Sequence, residues 1–282
     1  MPRSLNQSPQ KRGLYRRSED DDIYLYVGKF SFLTADELAV LSDRNVVSLR
    51  KRLRQLCLIG LLGRVEGGKQ REDFFREIIC RKCGTVNKLA LPDGRIRPKP
   101  NFHYLTDQGG AKASAVIENP IAWRSKAESR VDHDRVITII HLALDHAFGA
   151  ALDDWRQQKQ DVKTTVDVDG EVISFYPDAQ ATLGGEPIWI EYANSEPSSV
   201  NGESDIVLKV RRYNELMRKQ KGKVLFIFRE RAMVENFVNR IAGQFPYLWP
   251  HITDLDSITT RPTEKIFYAP KDFDVRPHGL IE

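Results

Sequence analysis

Asp178 and Glu191 are the residues whose type and spacing point most directly to chemistry. Asp178 follows Pro177, and Glu191 closes the run Ile188-Trp189-Ile190 beyond a Gly184-Gly185 turn. Two carboxylates brought to adjacent strand ends can hold Mg²⁺, which polarises a phosphodiester and lowers the pKa of an attacking water. The plainer alternative is a pair of ordinary turn and strand-end acids. A second set is Cys80 and Cys83 in Cys80-Arg81-Lys82-Cys83-Gly84, which is half of a zinc knuckle. A structural zinc site needs four ligands, and only Cys57 and His103, in other elements, could join them. Two unligated thiols, or one zinc shared across a homodimer, are the other arrangements. The third set is Arg44, Asn45, Ser48, Lys51, Arg52 and Gln55. On one helix these side chains could bond guanine and adenine edges or phosphates in a major groove. The alternative is the solvated face of a bundle helix.

The elements that must position these groups follow from local pattern. Thr34-Ala35-Asp36-Glu37 is a capping box before Leu38 and Leu41, so a short helix starts there. A second helix is expected from about Arg44 to Ile59. Its Val46, Leu49, Leu53 and Leu56 form one apolar stripe, with Arg44, Ser48, Lys51 and Gln55 opposite and Asn45 and Arg52 flanking. Leu58 to Val65 reads as a helix end, a turn and a strand, and Phe102 to Gly109 as a returning strand whose Thr106 caps the next helix. Strand-like Phe75–Ile79 and Val86–Leu91 lie between them. Further on, Val136, Ile140, Ala143 and Leu144 mark a helix, with His133 one turn earlier read as a packed core residue. Val162–Val168 and Glu171–Tyr176 flank the hairpin signal Asp169-Gly170. A helix from about Glu203 to Lys219 then leads to the strand Val224–Phe228. Helix, strands, helix, strand is an α/β order.

The first set of elements resembles the winged-helix DNA-binding superfamily. Its motif of a strand leaving the recognition helix and a returning "Y-x-L-T-x-x-G" strand is carried by Tyr104, Leu105, Thr106 and Gly109. The stretch 66–101 is longer than an ordinary wing. The second half resembles PD-(D/E)xK nuclease-like domains, in which Asp178 and Glu191 match the two acids. The superfamily's lysine, two residues after the second acid, is Ala193 here, and Lys209 on the following helix is the substitute that the resemblance allows. Over nearly its whole length the chain resembles the replication-relaxation family of plasmids and other mobile elements. Asp178, Ala179, Glu191, Lys209, Tyr213 and the upstream Trp155-Arg156 carry that likeness. Ala193 departs from this family's pattern too.

The resulting expectation is an α/β protein with four parts: a disordered basic tail (1–19), a winged helix-turn-helix with an enlarged wing (20–115), a linker (116–127) and a nuclease-like domain (128–282). The 282 residues, 41% hydrophobic and 29% charged, suffice for two real cores, and the net charge of +4 neither requires nor excludes nucleic acid. No apolar run is long enough for a bilayer, no secretory segment is visible, and three cysteines make no disulfide framework. A bacterial cytoplasmic protein without a membrane partner is expected. Because of Ala193, the sequence favours a double-stranded-DNA-binding accessory or regulatory protein acting with replication or mobilisation proteins. The alternatives are a Mg²⁺-dependent endonuclease using Asp178, Glu191 and Lys209, and a zinc-containing adaptor built on Cys80 and Cys83.

Overall fold

The computed structural model describes residues 18–66, 77–79, 86–88, 101–118, 120–122, 128–157, 162–168, 170–194, 199–200, 203–241, 244–248, 250–264 and 280. The chain is a mixed α/β protein that divides into two compact units, Met1–Lys126 and Ala127–Glu282. The zinc expectation for Cys80 and Cys83 lies outside the described residues, as does the tail up to residue 17.

The first unit begins with a 3-10 turn, Ser18–Asp20, and helix α1, Asp21–Phe30. The sequence reading ended its tail at residue 19 and placed no helix here. The structure corrects this, because acids in a first helical turn face the positive end of the helix dipole. Asp22 Oδ1 accepts from the Ile23 N–H at 2.8 Å, while Ile23, Tyr24 and Val27 fall on one buried side. Helix α2, Ala35–Ser42, opens with the full capping box: Glu37 N–H donates to Thr34 Oγ1 (3.1 Å), and Thr34 N–H donates to Glu37 Oε2 (2.7 Å). Helix α3, Val46–Leu58, is capped by Asn45, whose side-chain oxygen accepts from Val47 and Ser48 N–H.

Strand β1, Leu62–Glu66, follows, and β2 (Glu77–Ile79) pairs antiparallel with β3 (Val86–Lys88) in the enlarged insertion. Strand β4, Asn101–Leu105, returns antiparallel to β1 in the register Leu62↔Leu105 and leads into α4, Asp107–Ala113. Thr106 caps α4 by accepting from Gly109 N–H at 3.0 Å and donates to Gly60 O at 2.7 Å, so one hydroxyl ties the helix start to the turn after α3. Glycine is required at Gly109, where a Cβ would lie 1.8 Å from Leu61 O. Residues 116–118 and 120–122, within the expected linker, pack against α1. Ile121 N–H donates to Gly28 O at 2.7 Å, and Gly28 lets the strip approach, since its Cβ would sit 3.2 Å from Ile117 and Pro120.

His103 on β4 is buried, with Nδ1 3.2 Å from Leu33 O. Burial lowers its pKa to about 4, partly offset by that hydrogen bond. Between pH 6.5 and about 4 the unfolded chain protonates this histidine while the folded chain does not. Stability therefore rises with pH across that window and is lost as pH falls, by about 3 kcal/mol in full. Urea titrations at pH 7 and 4.5 should show this acid sensitivity shrinking in His103→Asn, whose amide keeps a donor at the Nδ1 position for Leu33 O but does not titrate. An unchanged pH dependence would contradict the assignment.

The second unit starts with α5, Glu128–Phe148, and β5, Leu152–Arg156. The hairpin β6 (Thr164–Val168) and β7 (Glu171–Phe175) forms its own antiparallel pair. Then come β8 (Ala179–Leu183), β9 (Glu186–Ala193), the two-residue strands β10 (Ser199–Val200) and β11 (Glu203–Ser204), and α6 (Asp205–Lys219). Strand β12 (Lys223–Phe228), α7 (Arg231–Ile241), β13 (Pro250–Asp254) and α8 (Leu255–Thr260) complete it. The central sheet has the order β13-β12-β9-β8-β5. Strands β9, β12 and β13 are mutually parallel, while β8 runs antiparallel to both β9 and β5. Alternation decides which face each side chain takes. Val224, Phe226 and Phe228 join Val210 and Tyr213 of α6 and Phe237 of α7 in one apolar core. Helix α5 packs against α8, which also contacts β12.

Candidate functional site

The turn between β8 and β9 sets the site. In the register Ala179↔Ile190, Asp178 N–H donates to Ile190 O at 3.0 Å, so Asp178 lies beside Glu191 where β8 begins and β9 ends. Helix α6 then crosses from β9 to the parallel strand β12 and brings Lys209 and Tyr213, one turn apart, over Glu191. Tyr213 Oη donates to Glu191 Oε1 at 2.8 Å, and Lys209 Nζ donates to Oε2. The Glu191 side chain is 2% exposed and that of Lys209 31%. The structure therefore brings together Asp178, Glu191 and Lys209, named from sequence as the candidate catalytic and metal-binding set.

His133 was read as a packed core residue and is instead part of this cluster. From α5 its Nε2 reaches Asp178 Oδ2 at 3.3 Å, its Nδ1 lies 3.7 Å from Asp134 Oδ1, and its ring is 5.7 Å from that of Tyr192. The same Asp178 oxygen accepts from Tyr192 N–H at 2.8 Å. Only the neighbouring Asp134 hinted at this role in the sequence, because the contact spans 45 residues of chain between His133 and Asp178.

The charges in the cluster are strongly coupled. Burial opposes ionisation of Asp178, but His133, Lys209 and the Tyr192 N–H outweigh it and hold the carboxyl below its ordinary range. Burial and the adjacent Asp178 charge push Glu191 up to about 7, against the pull of Lys209 and Tyr213. His133 would be lowered by burial, yet Asp134 and Asp178 carry it up to about 10. Burial and the facing Glu191 raise Tyr213 well above the usual phenol range. Two carboxylates that resist joint ionisation in a buried place suit a hard divalent cation with oxygen ligands. Asp178 and Glu191 are oxygen donors of the type that Mg²⁺ takes, but both Glu191 oxygens are bonded within the protein, and no group of three or more His, Cys, Asp or Glu side chains placed to hold a metal occurs among the described residues.

Ala193, at the usual lysine position, packs beside the apolar core, and its carbonyl accepts from Arg229 N–H at 3.0 Å. Trp155 stacks on His141 of α5 with ring centroids 4.0 Å apart, and Arg156 pairs with Asp154 at 2.7 Å. This Trp-Arg pair braces β5 rather than touching the carboxylates in any contact described.

The candidate DNA face of α3 needs correction. Arg52 is buried and bonded to Asp20 through both Nε (2.8 Å) and Nη2 (2.6 Å), while its Nη1 donates to Gln55 at 2.9 Å. Arg44 pairs with Asp22 at 3.0 Å, and the Asn45 side chain is occupied as the cap. Asp20 in the turn before α1 and Asp22 in the first turn of α1 thus engage Arg52 and Arg44, and Gln55 accepts from Arg52. Ser48 and Lys51 remain exposed, together with Val47, Arg50, Arg54 and Leu58, which the sequence reading did not select. Arg50 pairs with Asp36 at 3.0 Å. The exposed side is thus rotated by about one residue from the expected one. The shift arises because Arg52 replaces the half-buried Val46 in the buried stripe. Cys57 on α3 is half-buried, its thiol pushed up by burial.

Comparison with known proteins leaves the reading to these residues. No family model and no curated protein matches the chain. Among solved structures, protein VC1899 from Vibrio cholerae is similar at 10% identity with a TM-score of 0.34, over 87% of this chain. The chain spans 55% of the length of that protein.

Proposed function

We propose that the protein is a duplex-DNA-binding endonuclease, with a winged helix in its first unit and a PD-(D/E)xK-like, Mg²⁺-dependent domain in its second. The observation that carries the reading is Lys209 meeting Glu191 beside Asp178. A helix-borne ammonium stands where Ala193 leaves the strand without one. Asp178 and Glu191 are the residues that would hold the metal, which when bound supplies Lewis-acid polarisation of the phosphodiester and a more acidic water.

The chain's own groups have distinct tasks. His133 and the Tyr192 N–H fix one oxygen of Asp178, and Tyr213 fixes one oxygen of Glu191. Lys209 neutralises Glu191 and, being partly exposed, can turn to the charge that develops on the phosphate. Lys51, Arg54 and Ser48 on the open side of α3 supply contacts to the duplex. The motif likeness to replication-relaxation proteins directs this activity to plasmids or other mobile DNA.

A non-cutting accessory role is the second reading. It is favoured by Ala193 and by the bonding of both Glu191 oxygens within the protein. Incubation of supercoiled plasmid with Mg²⁺ or Mn²⁺ separates the two. Conversion to nicked or linear forms is expected, and it should vanish in Asp178→Ala and in Glu191→Ala. Retarded but uncut plasmid under every metal condition would leave only the accessory reading.

A further inference from the structure

Arg44 is the residue at which the first unit's acidic turn and its exposed basic face meet. Its Nη1 donates to Asp22 Oδ1 at 3.0 Å and Oδ2 at 3.3 Å, and to Glu19 O at 2.9 Å. Arg44 immediately precedes Asn45, the N-cap of α3, and so enters the helix whose exposed residues are Val47, Ser48, Arg50, Lys51, Arg54 and Leu58. A carboxylate and a carbonyl oxygen gathered on one guanidinium nitrogen are the acceptors that a phosphate would also offer. We infer that Arg44 is a latent phosphate-binding site for the DNA backbone, occupied in the free protein by Asp22 as an internal stand-in for phosphate.

Two ion pairs of different character make this arrangement workable. The Arg52–Asp20 pair is 7% and 1% exposed, and it anchors the acidic turn against α3. The Arg44–Asp22 pair is 25% and 31% exposed, so water and salt screen it and exchange of partners is easy. The inner pair therefore keeps the turn in place while the outer pair yields. Among the described residues, Arg44 spends only Nη1 on protein acceptors. Its other donors point to no protein partner there, and a phosphate can take them in a forked geometry. Asp22 also has a local task, accepting from Ile23 N–H, which an asparagine oxygen can keep.

The inference rests on the DNA-binding reading, and the test separates the two. Full-length chain and its Asp22→Asn variant are titrated with a mixed-sequence duplex over a range of salt concentrations. Asp22→Asn should bind roughly several-fold tighter at low salt with a parallel log–log salt slope, because Arg44 meets the same phosphate in both complexes, whereas Arg44→Ala should make the slope shallower by about 0.9. In an Arg44→Ala background the same substitution should give no comparable gain in affinity, which excludes a mere gain in net charge. Equal affinity of the two proteins, or an equal gain from Asp22→Asn in the Arg44→Ala background, would overturn the inference and leave the DNA reading standing. No binding by either would overturn both.

Discussion

Replacing Arg52 with Ala is expected to destabilise the first unit by about 3–5 kcal/mol, the range for removing one partner of a buried ion pair. Asp20 is 1% exposed and would lose the guanidinium that now meets its charge. The hydrogen bonds that Arg52 donates to Asp20 outweigh burial and hold the guanidinium still more firmly protonated than usual, so the loss falls on an ionised pair. Gln55 would lose its donor as well. Urea denaturation of the full chain, followed by a probe in the first unit, should show the shift. The double variant Asp20→Leu with Arg52→Met should recover most of it, because two apolar groups of similar volume remove both buried charges. A loss under about 1 kcal/mol in Arg52→Ala would show the pair to be as weak as a surface one.

The second large effect concerns Lys209. Under the endonuclease reading, Lys209→Ala removes the ammonium bonded to Glu191, which is also the group offered to the phosphate. A fall in cleavage rate of about 10²–10³ is expected, comparable with loss of one preorganised transition-state donor. Lys209→Arg should retain part of the rate by keeping the charge. Without Lys209, Glu191 also stays protonated to higher pH, since burial and Asp178 already push it up to about 7. The variant's activity should therefore recover partly as pH rises. Quantified plasmid nicking checks both points. A variant as fast as the parent would remove Lys209 from the mechanism.

Local chemistry was readable in the sequence because it depends on neighbours a few residues apart. Thr34 with Glu37, and Thr106 with Gly109, sit at capping distances and do cap. The carboxylates at Asp178 and Glu191 are joined by one tight turn, so their adjacency follows from pairing two short strands. What escaped depends on contacts far apart in the chain. The run Glu19 to Asp22 reads as a solvated tail until α3 folds against it. The buried pair then forms across the 32 residues between Asp20 and Arg52. The same contact rotated the exposed side of α3, since an arginine took a place in the apolar stripe. His133 lies on a helix with apolar residues on several sides, and only the fold reveals that its outer nitrogen faces Asp178. Gly28 gave no signal either, because the strip that it admits returns from beyond residue 115.

Calorimetric titration of Mn²⁺ into the metal-free full-length chain tests the central claim most directly, that Asp178 and Glu191 form one divalent-cation site. Saturable binding at a single site is predicted, with proton release as Glu191 ionises, and with the signal abolished in Asp178→Asn and in Glu191→Gln. Absence of binding in the parent chain, or equal binding in both variants, would contradict it.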